Sequence, residues 1–258
     1  MHFAKLHGLG NDFVLLDLRA GGEPLAASRA LGLCDRHLGI GADGVLTLLP
    51  GDRMLVQNAD GSVPEMCGNG ARCAALWIAT AGCTRPATAR VLLATDAGPR
   101  PCNVAAARPD AGEVEVEMGV PRFEPDRALP LGNQRQAASV VSMGNPHRVL
   151  FVDGDPQRLA AEFGPVLCRA ENANIEFVAR TGERRYRAHV YERGAGLTQA
   201  CGTGACAVAA AAIARGEARA DEEIVVELPG GPLVLRQDAR SGELRMRGPA
   251  QLVFRGEL

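Results

Sequence analysis

Short apolar or alternating runs bounded by glycine, proline and aspartate dominate this chain, at residues 13–17, 45–49, 54–57, 91–94, 114–118, 149–152, 175–178, 188–191, 224–228, 233–235 and 244–246. Each is too short for a helix and reads as a strand. Helical spacing occurs at 25–38, 69–81, 156–163 and 204–215. The two alanine-rich helices each follow a cysteine–glycine turn, which predicts an α/β (α+β) protein of two similar lobes. Each lobe would be a mostly antiparallel or mixed sheet around one apolar helix, with 118–130 as the crossing between them. The alanine run 209–212 suits a helix enclosed by a curled sheet, and equally follows from helix propensity alone.

A duplication supports the two-lobe reading. Residues 67–74 (CGNGARCA) and 201–208 (CGTGACAV) lie 134 positions apart, and Gly10-Asn11 and Gly144-Asn145 keep the same interval. Asn58 and Glu192 each stand nine residues ahead of the cysteine of their half. The expected division is 1–119, completed by 247–258, and 120–246.

The paired turns carry chemistry. A thiol has a reference pKa of about 8.5, which falls where unpaired N–H groups at a helix N-terminus favour negative charge. Cys67 and Cys201 both stand at such a position. The glycines at 68, 70, 202 and 204 let backbone N–H groups approach a carboxylate. Two thiols facing one cleft could remove a proton from one side of a carbon and return one to the other, which is racemase or epimerase chemistry. Glu192 could accept from an ammonium group, and Arg193 could take a carboxylate through two parallel bonds. Asn58 fits either a ligand contact or a turn ahead of Asp60-Gly61.

Other cysteines read differently. Cys34, Cys83, Cys102 and Cys168 fit small core hydrophobes, and Cys73 and Cys206 fall inside the helices, where packing explains them. Residues 39–44 (GIGADG) match a dinucleotide-binding pattern in letters only, because the helical stretch precedes the motif and the strand follows it. They read as a tight loop.

Composition narrows the function. The chain of 258 residues has a net charge of −2, which gives no footprint for nucleic acid, and no run approaches membrane-spanning length. No signal peptide is evident at the N-terminus, so a cytoplasmic location is expected. No zinc-ligand spacing occurs, and no metal is expected. Lys5 is the one lysine beside 27 arginines, and its place ahead of a glycine-rich turn makes it a poor Schiff-base residue. The chemistry is therefore expected to need no cofactor.

Six segments in order carry a resemblance: 5–17 (KLHGLGNDFVLLD), 39–44 (GIGADG), 58–62 with 67–73 (NADGS and CGNGARC), 143–147 (MGNPH), 191–196 (YERGAG) and 198–205 (TQACGTGA). The chain resembles the diaminopimelate epimerases, pyridoxal-independent enzymes that interconvert LL- and meso-diaminopimelate on the route to lysine and peptidoglycan. The resemblance implies that Cys67 and Cys201 alternate as thiolate base and thiol acid. It implies that Gly68, Asn69, Gly202 and Thr203 hold the carboxylate at the reacting carbon. Asn11, Asn58, Asn145, Asn174 and Arg193 would grip the substrate, including its distant end, while Glu192 and His147 would lie beside the reacting amino group and the thiols. A homodimer is implied as well. Asn172 rivals Asn174 for its place. Two other readings stay open: a related racemase acting on another amino acid such as histidine, and a protein using the two thiols as a redox switch.

Overall fold

The computed structural model describes residues 1–80 and 87–258. Cys83 and Ala81, the predicted last residue of the second helix, lie outside them. The chain divides into two compact units, Met1–Val116 with Arg247–Leu258, and Glu117–Met246.

The first unit begins with β1 (His2–Gly8), β2 (Asn11–Asp17), α1 (Ala27–Cys34), β3 (Gly44–Leu49) and β4 (Arg53–Asn58). It continues with α2 (Gly68–Thr80), β5 (Ala87–Thr95), β6 (Gly98–Arg108) and β7 (Ala111–Gly119). These strands neighbour one another in sequence order. Leu9 and Gly10 take positive φ, which makes the tight hairpin that delivers Asn11 to the head of β2. β2 runs parallel to β3 and β3 antiparallel to β4, setting Phe13 beside Gly44 and Gly44 beside Asn58. α2 is buried from Gly68 to Leu76, against β1, β5 and β6.

The second unit contains β8 (Arg122–Leu131), β9 (Gln134–Ser142), β10 (Pro146–Phe151), α3 (Pro156–Glu171), β11 (Asn174–Gly182), β12 (Arg185–Glu192) and β13 (Gly196–Leu197). It ends with α4 (Gly202–Ala214), β14 (Ile224–Leu228), β15 (Gly231–Gln237) and the start of β16 (Leu244–Glu257). Its strand order is β15-β14-β12-β11-β10-β9-β8. α4 is buried along Ala205–Ala212 and packs on β9, β10, β11, β14 and β15. Small side chains on every face let the curled sheet approach from all sides, so of the two readings of the alanine run, enclosure is the one realised. β16 returns to the first unit, where it pairs antiparallel with β1 from His2↔Glu257 to His7↔Gln251.

Two differences from the sequence reading have clear causes. The segment 118–130 is not a bare crossing, because Arg122–Leu131 pairs with β9 as an almost wholly exposed edge strand. Pro125 falls at the register shift between Glu124 and Arg127, a place where a strand tolerates proline. α3 runs eight residues past its predicted end at 163. Asp155 caps it by accepting from the Gln157 N–H, and Asn172 closes it in the left-handed conformation. Gly164 and Pro165, both poor helix residues, follow that predicted end, and Gly164 has a packing role. It is required inside the helix, since a Cβ there would lie 2.7 Å from that of Tyr191.

Candidate active site

In the first unit, Cys67 stands directly ahead of α2, and the Gly70 N–H donates to its Sγ at 3.4 Å. A side chain at Gly70 would strike Leu46 Cδ2 at 2.9 Å, so glycine keeps the thiol seated on the helix end. The buried Asn69 donates from Nδ2 to Asn11 Oδ1 at 3.0 Å and accepts from Arg72 Nη2 at 2.8 Å. Asn11 donates in turn to Asp43 Oδ2 at 2.7 Å. Each contact fixes which way the next amide points.

Asp43 belongs to the 39–44 loop, where sequence reasoning assigned no role to the aspartate. It also accepts from the Asp12 N–H at 3.1 Å and from Arg36 at 2.8 Å. Asp12 is gripped by Arg36 at 2.7 Å and 3.2 Å and by Lys5 at 2.6 Å. Burial works against the Asp12 carboxylate, but hydrogen bonds from Arg36 and Lys5 outweigh it and hold its pKa at about 2. Lys5 is itself buried, paired with Asp12 and donating to the Gly41 carbonyl, which leaves it committed to this network. Asn58 closes a turn: its N–H and Nδ2 both donate to Ser62, each at 2.9 Å, and the Ala59 N–H reaches the Asp43 carbonyl at 2.9 Å.

The second unit repeats the plan with different chemistry. Cys201 is the N-cap of α4, buried, with Sγ 3.1 Å from Glu192 Oε2 and 3.6 Å from Thr203 Oγ1. The Thr198 hydroxyl donates to the other Glu192 oxygen. Asn145 Nδ2 donates to Thr203 Oγ1 at 3.3 Å, the counterpart of the Asn69–Asn11 bond across the same 58-residue interval. His147, wholly buried, sets Nε2 3.0 Å from Asn145 Oδ1 and Nδ1 2.7 Å from Glu176 Oε1. Asn174 lies beside His147 in the parallel pairing of β10 and β11, and its side-chain oxygen accepts from the Arg193 N–H at 2.9 Å. The exposed Arg193 guanidinium reaches back to Asn172 Oδ1 at 3.3 Å.

The electrostatics correct one expectation. A helix N-terminus predicts a lowered thiol pKa, yet burial, with Glu192 and Glu176 nearby, pushes the Cys201 thiol well up. Burial likewise raises the Glu192 carboxyl, against hydrogen bonds from Thr198 and Cys201. The desolvation of sulfur and the facing carboxylates outweigh the helix end. In this arrangement the Cys201 thiol donates to Glu192 Oε2. Cys67, by contrast, receives an amide N–H on its sulfur.

Every site residue anticipated from the sequence falls into one of these two clusters: Asn11, Asn58, Cys67, Gly68 and Asn69 in the first unit, and Asn145, His147, Asn174, Glu192, Arg193, Cys201, Gly202 and Thr203 in the second. Asp43, Asp12, Arg36 and Glu176 were missed. The first three were signalled only by an aspartate inside a glycine-rich loop, and Glu176 sits in an apolar strand with nothing to mark it. Cys34, Cys73, Cys102, Cys168 and Cys206 are buried in the core, and burial pushes Cys73 up to about 12. Among the described residues no cluster of metal-ligating side chains occurs and no helix is long and apolar enough to cross a membrane.

Comparison with known proteins bears on the chain as a whole. The family model described as diaminopimelate epimerase matches residues 3–124 and 139–253. A diaminopimelate epimerase of Synechocystis is 42% identical, covering 100% of this chain and 98% of that protein. One from Xanthomonas campestris is 40% identical, covering 100% and 96%. Among solved structures, a predicted epimerase from Pseudomonas aeruginosa superposes with a TM-score of 0.77 at 17% identity, covering 100% of this chain and 98% of that one, a likeness of fold.

Proposed function

The chain belongs to the diaminopimelate epimerase family, and we infer from that membership and from its two capped thiols that it interconverts LL- and meso-diaminopimelate by proton transfer, without pyridoxal phosphate. The observation that supports the mechanism is the unequal hydrogen bonding of the two sulfurs. Cys67 accepts a backbone N–H and is set to be the base, while Cys201 donates to Glu192 and is set to be the acid.

In one direction the Cys67 thiolate takes the α-hydrogen, and the electron pair left on carbon accepts the Cys201 proton from the opposite side. The substrate emerges inverted, with Cys67 now a thiol and Cys201 a thiolate. The reverse reaction uses that second form. Glu192, in contact with the Cys201 sulfur and the Thr198 hydroxyl, is placed to move a proton to or from Cys201 between turnovers. The N–H groups at Gly68, Asn69, Gly202 and Thr203 offset the charge that builds on the substrate carboxylate as the α-carbon loses its proton. Asn11 and Asn145, with amides fixed by their neighbours, orient the reacting end. Asn58, Asn174 and Arg193 hold the distal amino-acid head, and His147 supports the Cys201 side.

We place the enzyme in the cytoplasm as a homodimer, in keeping with its resemblance to the family, and light scattering of the purified protein tests the oligomeric state. The function is tested in deuterated buffer, where the label should enter diaminopimelate at one carbon only and histidine should take up none. Exchange with histidine and none with diaminopimelate would overturn the assignment.

A further inference from the structure

We propose that Glu176 is a positioning residue for Cys201, acting through His147, Asn145 and Thr203 to aim a hydroxyl donor at the Cys201 sulfur. The proposal rests on the reading of Cys201 as an acid–base group. It starts from hydrogen-bond complementarity. Asn145 gives its NH2 to Thr203, so its oxygen is what faces His147 Nε2 at 3.0 Å. Nδ1 of the same ring faces a carboxylate at 2.7 Å. Both ring nitrogens face oxygen atoms, so the ring is held between Asn145 and Glu176 by a hydrogen bond at each end. Thr203 accepts from Asn145, which leaves its single hydroxyl proton for the sulfur 3.6 Å away. From Asn145 the contacts run in one direction to the sulfur, and the imidazole between Asn145 and Glu176 fixes which way the amide points.

The molecule supplies its own control. In the first unit, β2 and β3 pair Phe13 with Gly44 and Leu15 with Leu46; in the second, β10 and β11 pair His147 with Asn174 and Val149 with Glu176. Phe13 thus corresponds to His147, and Leu46 to Glu176. The glycines agree: a Cβ at Gly70 would meet Leu46 at 2.9 Å, and one at Gly204 would meet Glu176 Oε1 at 3.0 Å. All four side chains are almost wholly buried. This architecture is therefore satisfied by an apolar pair, and the second unit keeps a buried, hydrogen-bonded polar pair where packing does not call for one. Glu176 Oε2 even lacks a hydrogen-bond partner among the described residues, a cost that a purely structural position would not carry.

The groups that face Cys201 are Glu192 on β12, Glu176 on β11 and His147 on β10, and α4 adds no charged side chain. Taken as a bare charge, Glu176 disfavours the thiolate, so its removal would make Cys201 more reactive. Taken as the anchor of the relay, its removal releases the His147 ring, frees the Asn145 amide to turn and takes the hydroxyl donor from sulfur. The two possibilities have opposite signs.

The test is iodoacetamide alkylation of the substrate-free enzyme across pH 7 to 9, resolved for Cys201 and Cys67 by peptide mass spectrometry, in wild type, E176Q, E176L and E176D. In E176Q and E176L, Cys201 should react about five- to tenfold more slowly at fixed pH, equivalent to a rise of up to about one pKa unit. Cys67 should stay within about twofold, and E176D, which restores the charge, should recover part of the rate. In turnover, kcat should fall in E176Q with KM little changed. Unchanged or faster Cys201 alkylation in E176Q, or a parallel change at Cys67, would overturn the proposal. The alkylation measurement does not depend on turnover, so a wild-type enzyme inactive on diaminopimelate would refute the functional reading alone.

Discussion

Glu192 Oε2 lies 3.1 Å from Cys201 Sγ, and the carboxylate raises the thiol's hold on its proton while the hydrogen bond from the thiol lowers the carboxyl's. With one proton between them, the thiol is the donor. Replacing the carboxylate by the amide in Glu192→Gln removes the acceptor that stores the Cys201 proton. We predict a fall in kcat of about 10² to 10⁴-fold, the usual contribution of one acid–base group. Pre-steady-state kinetics should show the loss in proton return between turnovers. A kcat within twofold of wild type would remove Glu192 from the mechanism.

Cys67→Ala and Cys201→Ala should each abolish epimerisation while leaving the melting temperature close to wild type, because each thiol serves one side of the carbon. Cys168→Ala, a core thiol on α3, should keep its activity. Oxidation without substrate should join Cys67 to Cys201 and inactivate reversibly, since the proposed chemistry brings both sulfurs to one carbon. Peptide mapping that found only other pairings would contradict that convergence.

Arg193→Ala should lower kcat/KM for diaminopimelate by on the order of 10², roughly 2 to 3 kcal/mol, because substrate binding would desolvate the guanidinium against the distal carboxylate. The substrate-free protein should lose little stability, as this side chain is exposed and its partner is Asn172. A melting temperature that dropped with unchanged kcat/KM would mean that the arginine holds the end of α3 and nothing else.

Gly204→Ala introduces a Cβ 3.0 Å from Glu176 Oε1 and 3.2 Å from Cys201 Sγ. The thiol must shift by a few tenths of an ångström, and a misplaced acid–base group is expected to cost activity far more than stability. The comparison is Gly164→Ala, where the clash is with the Tyr191 side chain at 2.7 Å and the expected loss is about 1 to 3 kcal/mol of stability. Thermal unfolding and kcat measured on both variants separate the two effects.

Stability should fall at acid pH. Asp17 is held at about 2 by Arg19, against burial and with help from Trp77, and Asp12 lies equally low. Their folded values lie below the unfolded value of 3.8, so the stability they add is complete above it and is lost as pH falls through about 2. Asp12→Asn should remove on the order of 1 to 2 kcal/mol at pH 7 and flatten the acid limb of a urea-unfolding series. An unchanged acid limb would deny the aspartate this role.

The duplication was legible because glycine-rich turns tolerate few substitutes, so Cys67 and Cys201 kept the same neighbours and spacing. Strand periodicity found the buried, alternating runs and missed β1, β6, β8, β9 and β13. β8 is exposed and proline-bearing, so neither hydrophobic alternation nor propensity marks it. α3 was cut short because Gly164-Pro165 reads locally as a stop, while Tyr191, packed against it, is distant in sequence. The first contacts around each sulfur were partly visible as motif residues. Asp43 and Glu176 were not, because a supporting carboxylate is defined by the amide or imidazole it touches, and strand pairing alone brings those together. Thiol tuning misled for a similar reason: sequence reveals a helix end but not how deeply it is buried.

The return of β16 to β1 also has a consequence for synthesis. The ribosome releases the N-terminal strands first, yet β1 waits for residues 251–257, which follow everything in Glu117–Met246. The second unit can close as a continuous stretch of chain; the first keeps β1 without its β16 partner until the last strand emerges. At about 5 to 20 residues per second that interval lasts many seconds, during which an open strand edge is free to pair with a neighbouring nascent chain. Removing residues 247–258 should thus damage the N-terminal half of the protein and leave the C-terminal half, which is nearer in sequence to the cut, comparatively intact.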